Sequence, residues 1–150
     1  CSLRPGSTAT DEQRSAYFKP MWRWSIAMQN DFAARADWCV KSYADANHQP
    51  VVVLAHSADI KAKPGSKVSL SAAGTSDPDG DSLTFSWWQY AEAGTYPGSV
   101  DISDSDSVNA MLTVPADAKS GQTIHVVCEV TDNGTPRLTR YARVIVNVVK

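Results

Sequence analysis

The strongest constraint on the fold is a series of seven short segments, separated by turn-forming residues, in the last two thirds of the chain. Apolar and polar residues alternate along most of these segments, as in strands that bury one face. The intervening "KPGS", "DPDGD" and "DNGTP" are typical turn sequences. The pattern predicts a mainly β fold, an antiparallel β-sandwich of immunoglobulin-like type. The predicted strands cover 51–55, 67–73, 83–90, 99–103, 107–114, 122–131 and 140–149.

The same alternation predicts which side chains form the sandwich core. In the third strand it places Trp87 inside and Trp88 outside. Cys128 in the sixth strand is expected beside Trp87, as a buried free thiol. The predicted core face comprises Val68, Leu70, Ala72, Leu83, Phe85, Trp87, Ile124, Val126, Cys128, Val130, Ala142, Val144, Val146 and Val148.

The N-terminal third follows a different period. Residues 1–20 show little periodicity and are predicted to form a tail, and Pro20 suits a helix start. From Trp22 the apolar spacing of three, four and seven predicts an amphipathic helix. We therefore divide the chain into a tail and helix, 1–46, and a sandwich, 47–150. The apolar stripe of the helix comprises Trp22, Ile26, Ala33, Ala36, Val40 and Tyr43, widened by Met28, Phe32 and Cys39.

Two tryptophans, Trp24 and Trp38, fall outside this apolar stripe. Two exposed indoles on the flank of one helix indicate that another surface covers them. That surface is either the sandwich of this chain or a further domain. We predict that both residues are docking residues, and the two alternatives stay open.

A short turn carries Asp77, Asp79 and Asp81 within five positions. In a sandwich of this topology the turn shares one end with Asn47 and Asp132. Carboxylate and amide oxygens are the ligands that calcium prefers. The five residues are therefore a candidate calcium site. The alternative is a purely structural turn, since Asp, Pro and Gly form such turns without a metal.

Three aromatic residues suggest a surface for sugar rings. Trp88 and Tyr90 are predicted on the outer face of the third strand, and Tyr96 follows in a loop that can fold back beside them. Flat rings with polar edges suit stacking on carbohydrate. The alternative is that the helix or a neighbouring domain covers Trp88.

Several other functions are not expected. The net charge is −2 and Lys and Arg are dispersed, so nucleic-acid binding is not predicted. No apolar run reaches the roughly 20 residues of a membrane span. His48, His56 and His125 lack metal-binding spacing, and the chain has no GxSxG, P-loop or GxGxxG motif. Glu92 and Asp101 could be proposed as the carboxylate pair of a glycoside hydrolase, but their sequence positions give no reason for the two side chains to meet.

The cysteines and the first residue add two expectations. Cys1 and Cys39 both lie in the N-terminal third and are candidates for a disulfide. The chain begins with Cys1 rather than Met, which indicates a fragment, a processed mature chain or an excised domain.

Two family resemblances appear in these motifs. "TSDPDGDSLTFSW" and "VCEVTDNG" resemble polycystic-kidney-disease-type (PKD-type) immunoglobulin-like modules of secreted bacterial enzymes, some of which bind calcium. "MWRWSIAMQNDFAARADWCV", "WWQYAEAGTYPG" and "TIHVVCEVTDNGTPRLTRYARVIV" resemble the C-terminal region of bacterial proteins described as cellulose-binding. In those proteins a nucleoside-hydrolase-like domain precedes a β-sandwich.

The second resemblance implies that the chain is the C-terminal part of a longer exported protein, secreted, periplasmic or at the cell surface. Its implied partners are a polysaccharide and the upstream nucleoside-hydrolase-like domain. The function we expect is non-catalytic association with cellulose or a related glycan. The alternative is a structural module that supports the upstream domain.

Overall fold

The computed structural model describes residues 10–150. Within them a long helix, α1 (Asp11–Trp38), precedes seven strands. The strands are β1 (Asp59–Ala62), β2 (Lys67–Ser71), β3 (Thr84–Gln89), β4 (Asp101–Ser103), β5 (Asn109–Thr113), β6 (Thr123–Thr131) and β7 (Thr139–Val148). They form a four-stranded sheet in the order β1-β7-β6-β3 and a three-stranded sheet in the order β2-β5-β4. The mainly β sandwich with an N-terminal helix, predicted from the sequence, is confirmed.

The inner faces of the two sheets meet in one hydrophobic core. Trp87 is 3% exposed and lies opposite Cys128 in the register of β3 and β6, as predicted. Burial raises the pKa of the Cys128 thiol to about 12, so this cysteine remains protonated and unreactive at neutral pH. Each residue of the predicted core face is buried in this cluster or packs against it.

The first strand differs from the prediction. The apolar run 51–55 forms only an isolated bridge between Val51 and Ser76, and β1 lies further along the chain. The segment 51–55 forms no regular ladder of backbone hydrogen bonds. The Val53 amide donates to a side-chain oxygen, Thr75 Oγ1, whereas the amides of Val51 and Ala55 donate to backbone oxygens. β1 pairs parallel with β7, and the four-stranded sheet is therefore mixed rather than wholly antiparallel.

The helix also begins earlier than predicted, at Asp11. Thr10 caps it, because Thr10 Oγ1 accepts from the Gln13 amide at 3.2 Å while Gln13 Oε1 accepts from the Thr10 amide at 3.0 Å. The predicted tail is thus helical from residue 11, and Pro20 lies inside the helix rather than at its start. The predicted pairing of Cys1 with Cys39 falls outside the described residues.

The apolar stripe of α1 points away from the sandwich. Trp22 is 70% exposed and Phe32 is 75% exposed, whereas Ala34 on the opposite side is 1% exposed. An amphipathic helix usually buries its apolar stripe, so this orientation is unusual. We call the exposed side the outer face of α1; it comprises Phe18, Met21, Trp22, Ser25, Met28, Gln29 and Phe32. No helix of the described chain is long and apolar enough to span a bilayer.

Candidate functional site

The inner side of α1 covers the predicted sugar-binding aromatics. The centroid of the Trp24 ring lies 4.6 Å from that of Tyr141, 5.6 Å from Trp88 and 6.3 Å from Tyr90. We call these four residues the aromatic cluster. Val127 points away from the sandwich core and is nevertheless only 4% exposed. The prediction of an open platform at Trp88 and Tyr90 is therefore wrong, and the alternative of a covering helix is correct.

An arginine of α1 also lies on this cluster. The Arg23 guanidinium is 5.0 Å from the Trp88 centroid and 5.4 Å from that of Tyr90. It donates to both oxygens of Glu92, at 2.9 and 3.3 Å, and this hydrogen bonding lowers the pKa of Glu92. Such a partly exposed ion pair contributes only about 0–1 kcal/mol. Each aromatic pair adds about 0.5–1.5 kcal/mol beyond its buried area, so aromatic packing dominates this contact.

A second contact fixes the C-terminal end of α1. Trp38 Nε1 donates to the backbone oxygen of Asn47 at 2.8 Å. The His48 ring stacks on Trp38 and on Tyr43, with centroid distances of 5.8 and 3.9 Å. Trp24 and Trp38 thus both contact the sandwich of their own chain, which is one of the two surfaces that the sequence left open for them.

Tyr96 does not lie near Trp88 and Tyr90 on an open face. Its backbone amide donates to the Thr123 oxygen at 3.1 Å, and its side chain is 8% exposed within the core cluster. The hydroxyl donates to Asp117 Oδ1 at 2.9 Å, and burial raises the pKa of Tyr96. The predicted position of Tyr96 on an open face is therefore not observed, because hydrogen bonds hold its loop against the start of β6 and the ring is buried in the core.

The aspartates of the turn converge as predicted. Oxygen atoms of Asp77, Asp79 and Asp81 all lie within 4.8 Å of one another; we call this group the acidic pole. Asp77 Oδ1 accepts from the amides of Asp79 at 2.9 Å and Asp81 at 3.1 Å. Burial raises the pKa of Asp81, and the charges of Asp77, Asp132 and Asp79 raise it further. Carboxylates so arranged repel one another unless a cation or protons neutralise them.

Asn47 and Asp132 lie beside this pole but bond to each other. The Asn47 amide group donates to Asp132 Oδ2 at 3.2 Å and to the Pro136 oxygen at 2.8 Å. Asp132 Oδ1 accepts from the backbone amides of Gly134 and Leu138. The predicted meeting of three loops is observed, yet the nitrogen of Asn47 rather than its oxygen faces Asp132. Asn47 and Asp132 therefore join the loops to each other. The three carboxylates that lie close enough to share a cation are those of the acidic pole.

Sequence reasoning missed several residues of the helix contact. Tyr141 was detectable, because alternation in β7 with Ala142 inside places Tyr141 outside, like Trp88 in β3. Arg23, Glu92 and His48 carried no such signal. Arg23 and Glu92 are 69 positions apart, and only the three-dimensional fold joins them.

Comparisons with known proteins identify the family. Residues 67–148 match the family described as "Cellulose-binding protein Sde0182, C-terminal domain". The chain belongs to this family. The predicted resemblance to the C-terminal region of bacterial cellulose-binding proteins is confirmed, and the Sde0182 C-terminal domain is a carbohydrate-associated module by its description. No curated protein matches the sequence.

A solved structure covers more of the chain. It is that of a nucleoside hydrolase-related hypothetical protein from Saccharophagus degradans that is associated with carbohydrate metabolism. Sequence identity is 48% and the TM-score is 0.80, over 84% of this chain and 32% of that one. The chain therefore spans about a third of the length of this relative.

Two further solved structures are more distant from this member of the Sde0182 C-terminal domain family. The PKD domain of the KIAA 1837 protein is 17% identical over 70% of this chain and 91% of that one, with a TM-score of 0.45. The endo-fucoidan hydrolase MfFcnA4 of glycoside hydrolase family 107 is 20% identical over 69% of this chain and 14% of that one, with a TM-score of 0.42.

Proposed function

We propose that this chain is a non-catalytic support module of a longer, exported carbohydrate-associated protein, in which the sandwich holds α1 in a fixed orientation. The observation that carries the proposal is the aromatic cluster. The flat rings that sugar would need are used to bind Trp24 of α1. Insoluble glycans such as cellulose lie outside cells, so the family description favours a location outside the cytoplasm.

The alternative is direct binding of a glycan, which the description of the family favours. Affinity electrophoresis in gels containing soluble β-glucans, together with pull-down on cellulose, separates the two functions. We expect no retardation and no retention of the wild-type chain. Trp88→Ala tests the covered face, and Tyr43→Ala, a change at an aromatic residue outside the aromatic cluster, is the matched control.

Each outcome of that experiment is informative. If the mobility of the wild-type chain is the same with and without every glycan, the result favours the proposed function as a support module. Retardation of the wild type that Trp88→Ala abolishes and Tyr43→Ala preserves overturns it, because sugar must then reach the covered face. Retardation that both variants retain also overturns it, because it places a glycan site elsewhere on the chain.

We further propose that the acidic pole binds calcium. The supporting observation is Asp77 Oδ2, which is buried and has no hydrogen-bond partner among the described residues. A cation held by Asp77, Asp79 and Asp81 satisfies this oxygen. It also offsets the burial and the neighbouring negative charges that together raise the pKa of Asp81. The cation would stabilise the loops that meet beside the end of α1, where His48 contacts Asp79 at 2.9 Å.

Calcium is expected to raise the melting temperature of the chain relative to chelator. At a concentration 100 times the dissociation constant the gain is about 2.7 kcal/mol. Asp81→Asn is expected to raise the melting temperature in chelator by about 1–2 °C, the usual size of a surface substitution, because a neutral amide carries no charge for burial and the neighbouring carboxylates to oppose. The same variant loses most of the response to calcium. Asp101→Asn, on β4, serves as the control and keeps the response. Equal melting of the wild type in calcium and in chelator would contradict the site.

A further inference from the structure

We infer that the outer face of α1 is the surface on which this chain binds a nucleoside hydrolase-related domain. The inference rests on the proposed support function, since it names what the fixed helix supports. The outer face contains no charged side chain, and it lines a shallow concavity of about 430 Å³. Met21, Trp22, Met28 and Phe32 are each at least 66% exposed. Contiguous apolar surface of this kind usually marks an interaction site.

The sandwich of the same chain does not cover this surface. It already binds the opposite side of α1, through Trp24, Ala34 and Trp38. Two ion pairs, Arg23 with Glu92 and Arg140 with Asp31, flank that inner contact. Turning the helix to bury its outer face would break both ion pairs and expose the aromatic cluster. The helix is therefore held with one apolar side turned away from the sandwich.

The comparisons indicate which partner fits. The family match begins at residue 67 and excludes α1. The match to the Saccharophagus degradans protein covers 84% of this chain. Residues 47–150 make up only about two thirds of it, so that match extends into the N-terminal third. At least part of the region before residue 47 is thus shared with the longer protein, whereas α1 lies outside the C-terminal domain as the family defines it. Two thirds of that protein lie outside the match, and the protein is described as nucleoside hydrolase-related.

These observations place α1 at the junction between two parts of the longer protein. One side of the helix packs on the sandwich. The other offers Trp22, Met28 and Phe32, unbranched or aromatic side chains that fit an apolar groove. A partner domain in the same polypeptide is present at high effective concentration, so an apolar contact of modest size is sufficient for stable docking.

Site-specific photo-cross-linking in the intact protein tests the inference. A benzophenone amino acid replaces Phe32 on the outer face or, as a control, Lys119, an exposed residue in the loop before β6. We expect position 32 to give a cross-link at the mass of a single chain, joined to a peptide of the nucleoside hydrolase-related domain, with a much higher yield than position 119. A cross-link at the mass of two chains would overturn the inference in favour of a second copy. A yield at position 32 no higher than at position 119 would overturn it as well.

A second measurement uses the 150-residue chain alone. Its outer face should bind an apolar dye such as anilinonaphthalene sulfonate, and the double variant Trp22→Ser and Phe32→Ser should lose that fluorescence while keeping the melting temperature. In the intact protein the wild type should bind no dye at this face. Dye binding that is equal in the intact protein would overturn the docking. The glycan experiment is independent of both measurements. Failure of the docking inference changes the cross-linking and dye results, whereas failure of the proposed support function changes the glycan result.

Discussion

Replacing Trp87 by alanine is expected to lower the free energy of unfolding by about 3–5 kcal/mol, the usual range for loss of a large buried aromatic residue. The indole is 3% exposed, and its Nε1 donates to the Ser107 oxygen at 2.9 Å. Alanine leaves a cavity between the sheets and removes the hydrogen bond from the indole to the Ser107 oxygen. Urea unfolding followed by circular dichroism measures the loss. Trp87→Phe, which fills most of the space, is expected to cost less and keeps the measurement possible if the alanine variant does not fold.

The neighbouring tryptophan is the matched control for this prediction. Trp88 is partly exposed and packs under α1 rather than between the sheets, with Nε1 donating to Glu129 at 3.1 Å. Trp88→Ala is expected to cost about 1–2 kcal/mol, in the middle of the range for single substitutions. Equal losses for the two variants, or a larger loss for Trp88, would contradict the inward and outward assignment that alternation gives to β3.

Strand alternation was a reliable guide wherever a strand buries one face. Trp87, Cys128 and Val144 were placed in the core from parity alone, because a strand that buries one face repeats every second residue. The run 51–55 misled the prediction, because five consecutive small and apolar residues have no alternation and fit either a buried strand or an irregular segment. The real β1 carries Asp59 and Lys61 at exposed edge positions and was hidden by its polarity.

The helix shows what periodicity cannot decide. The sequence contained an apolar stripe, and it also contained Trp24 and Trp38 on the other side. The spacing of apolar residues identifies the two sides of the helix. It does not show which part of the protein each side contacts, because the contacting surfaces are distant in sequence. The capping box of Thr10 and Gln13 was a readable signal for the true helix start. Tyr96 lies in a loop without periodicity, and its burial followed only from the hydrogen bonds of that loop.

For the candidate calcium site, the sequence likewise predicted which residues lie close together but not which atoms bond to one another. Convergence of the acidic pole with Asn47 and Asp132 follows from strand order, which fixes the end of the sandwich where each loop lies. The hydrogen-bond roles within that group depend on side-chain orientation, which strand order does not determine. Sequence reasoning therefore placed these residues together but could not show that Asn47 and Asp132 satisfy each other.

Replacing Asp132 by alanine is expected to lower the free energy of unfolding by about 3–5 kcal/mol, since each buried donor left unpaired costs about 1–3 kcal/mol. Asp132 is 2% exposed and accepts from the Gly134 amide at 3.1 Å, the Leu138 amide at 2.9 Å and the Asn47 amide group at 3.2 Å. Asp132→Asn keeps an oxygen for the backbone amides but turns a second amide group toward Asn47. Its expected cost is therefore smaller, about 1–2 kcal/mol. Urea unfolding of both variants in chelator measures whether Asp132→Ala loses more stability than Asp132→Asn.

Gly134 gives an independent test of the same junction. A methyl group added there would overlap the side-chain atoms of Asn47, so Gly134→Ala must displace Asn47 and break its bond to Asp132. Asn47→Ala removes both the bond and the obstruction. The double variant Asn47→Ala and Gly134→Ala is therefore expected to lose clearly less stability than the sum of the single losses, with a coupling of about 1–3 kcal/mol. Additive losses would show that Gly134 and Asn47 act separately, and the loops at this end of the sandwich would then not depend on the contact between Asn47 and Asp132.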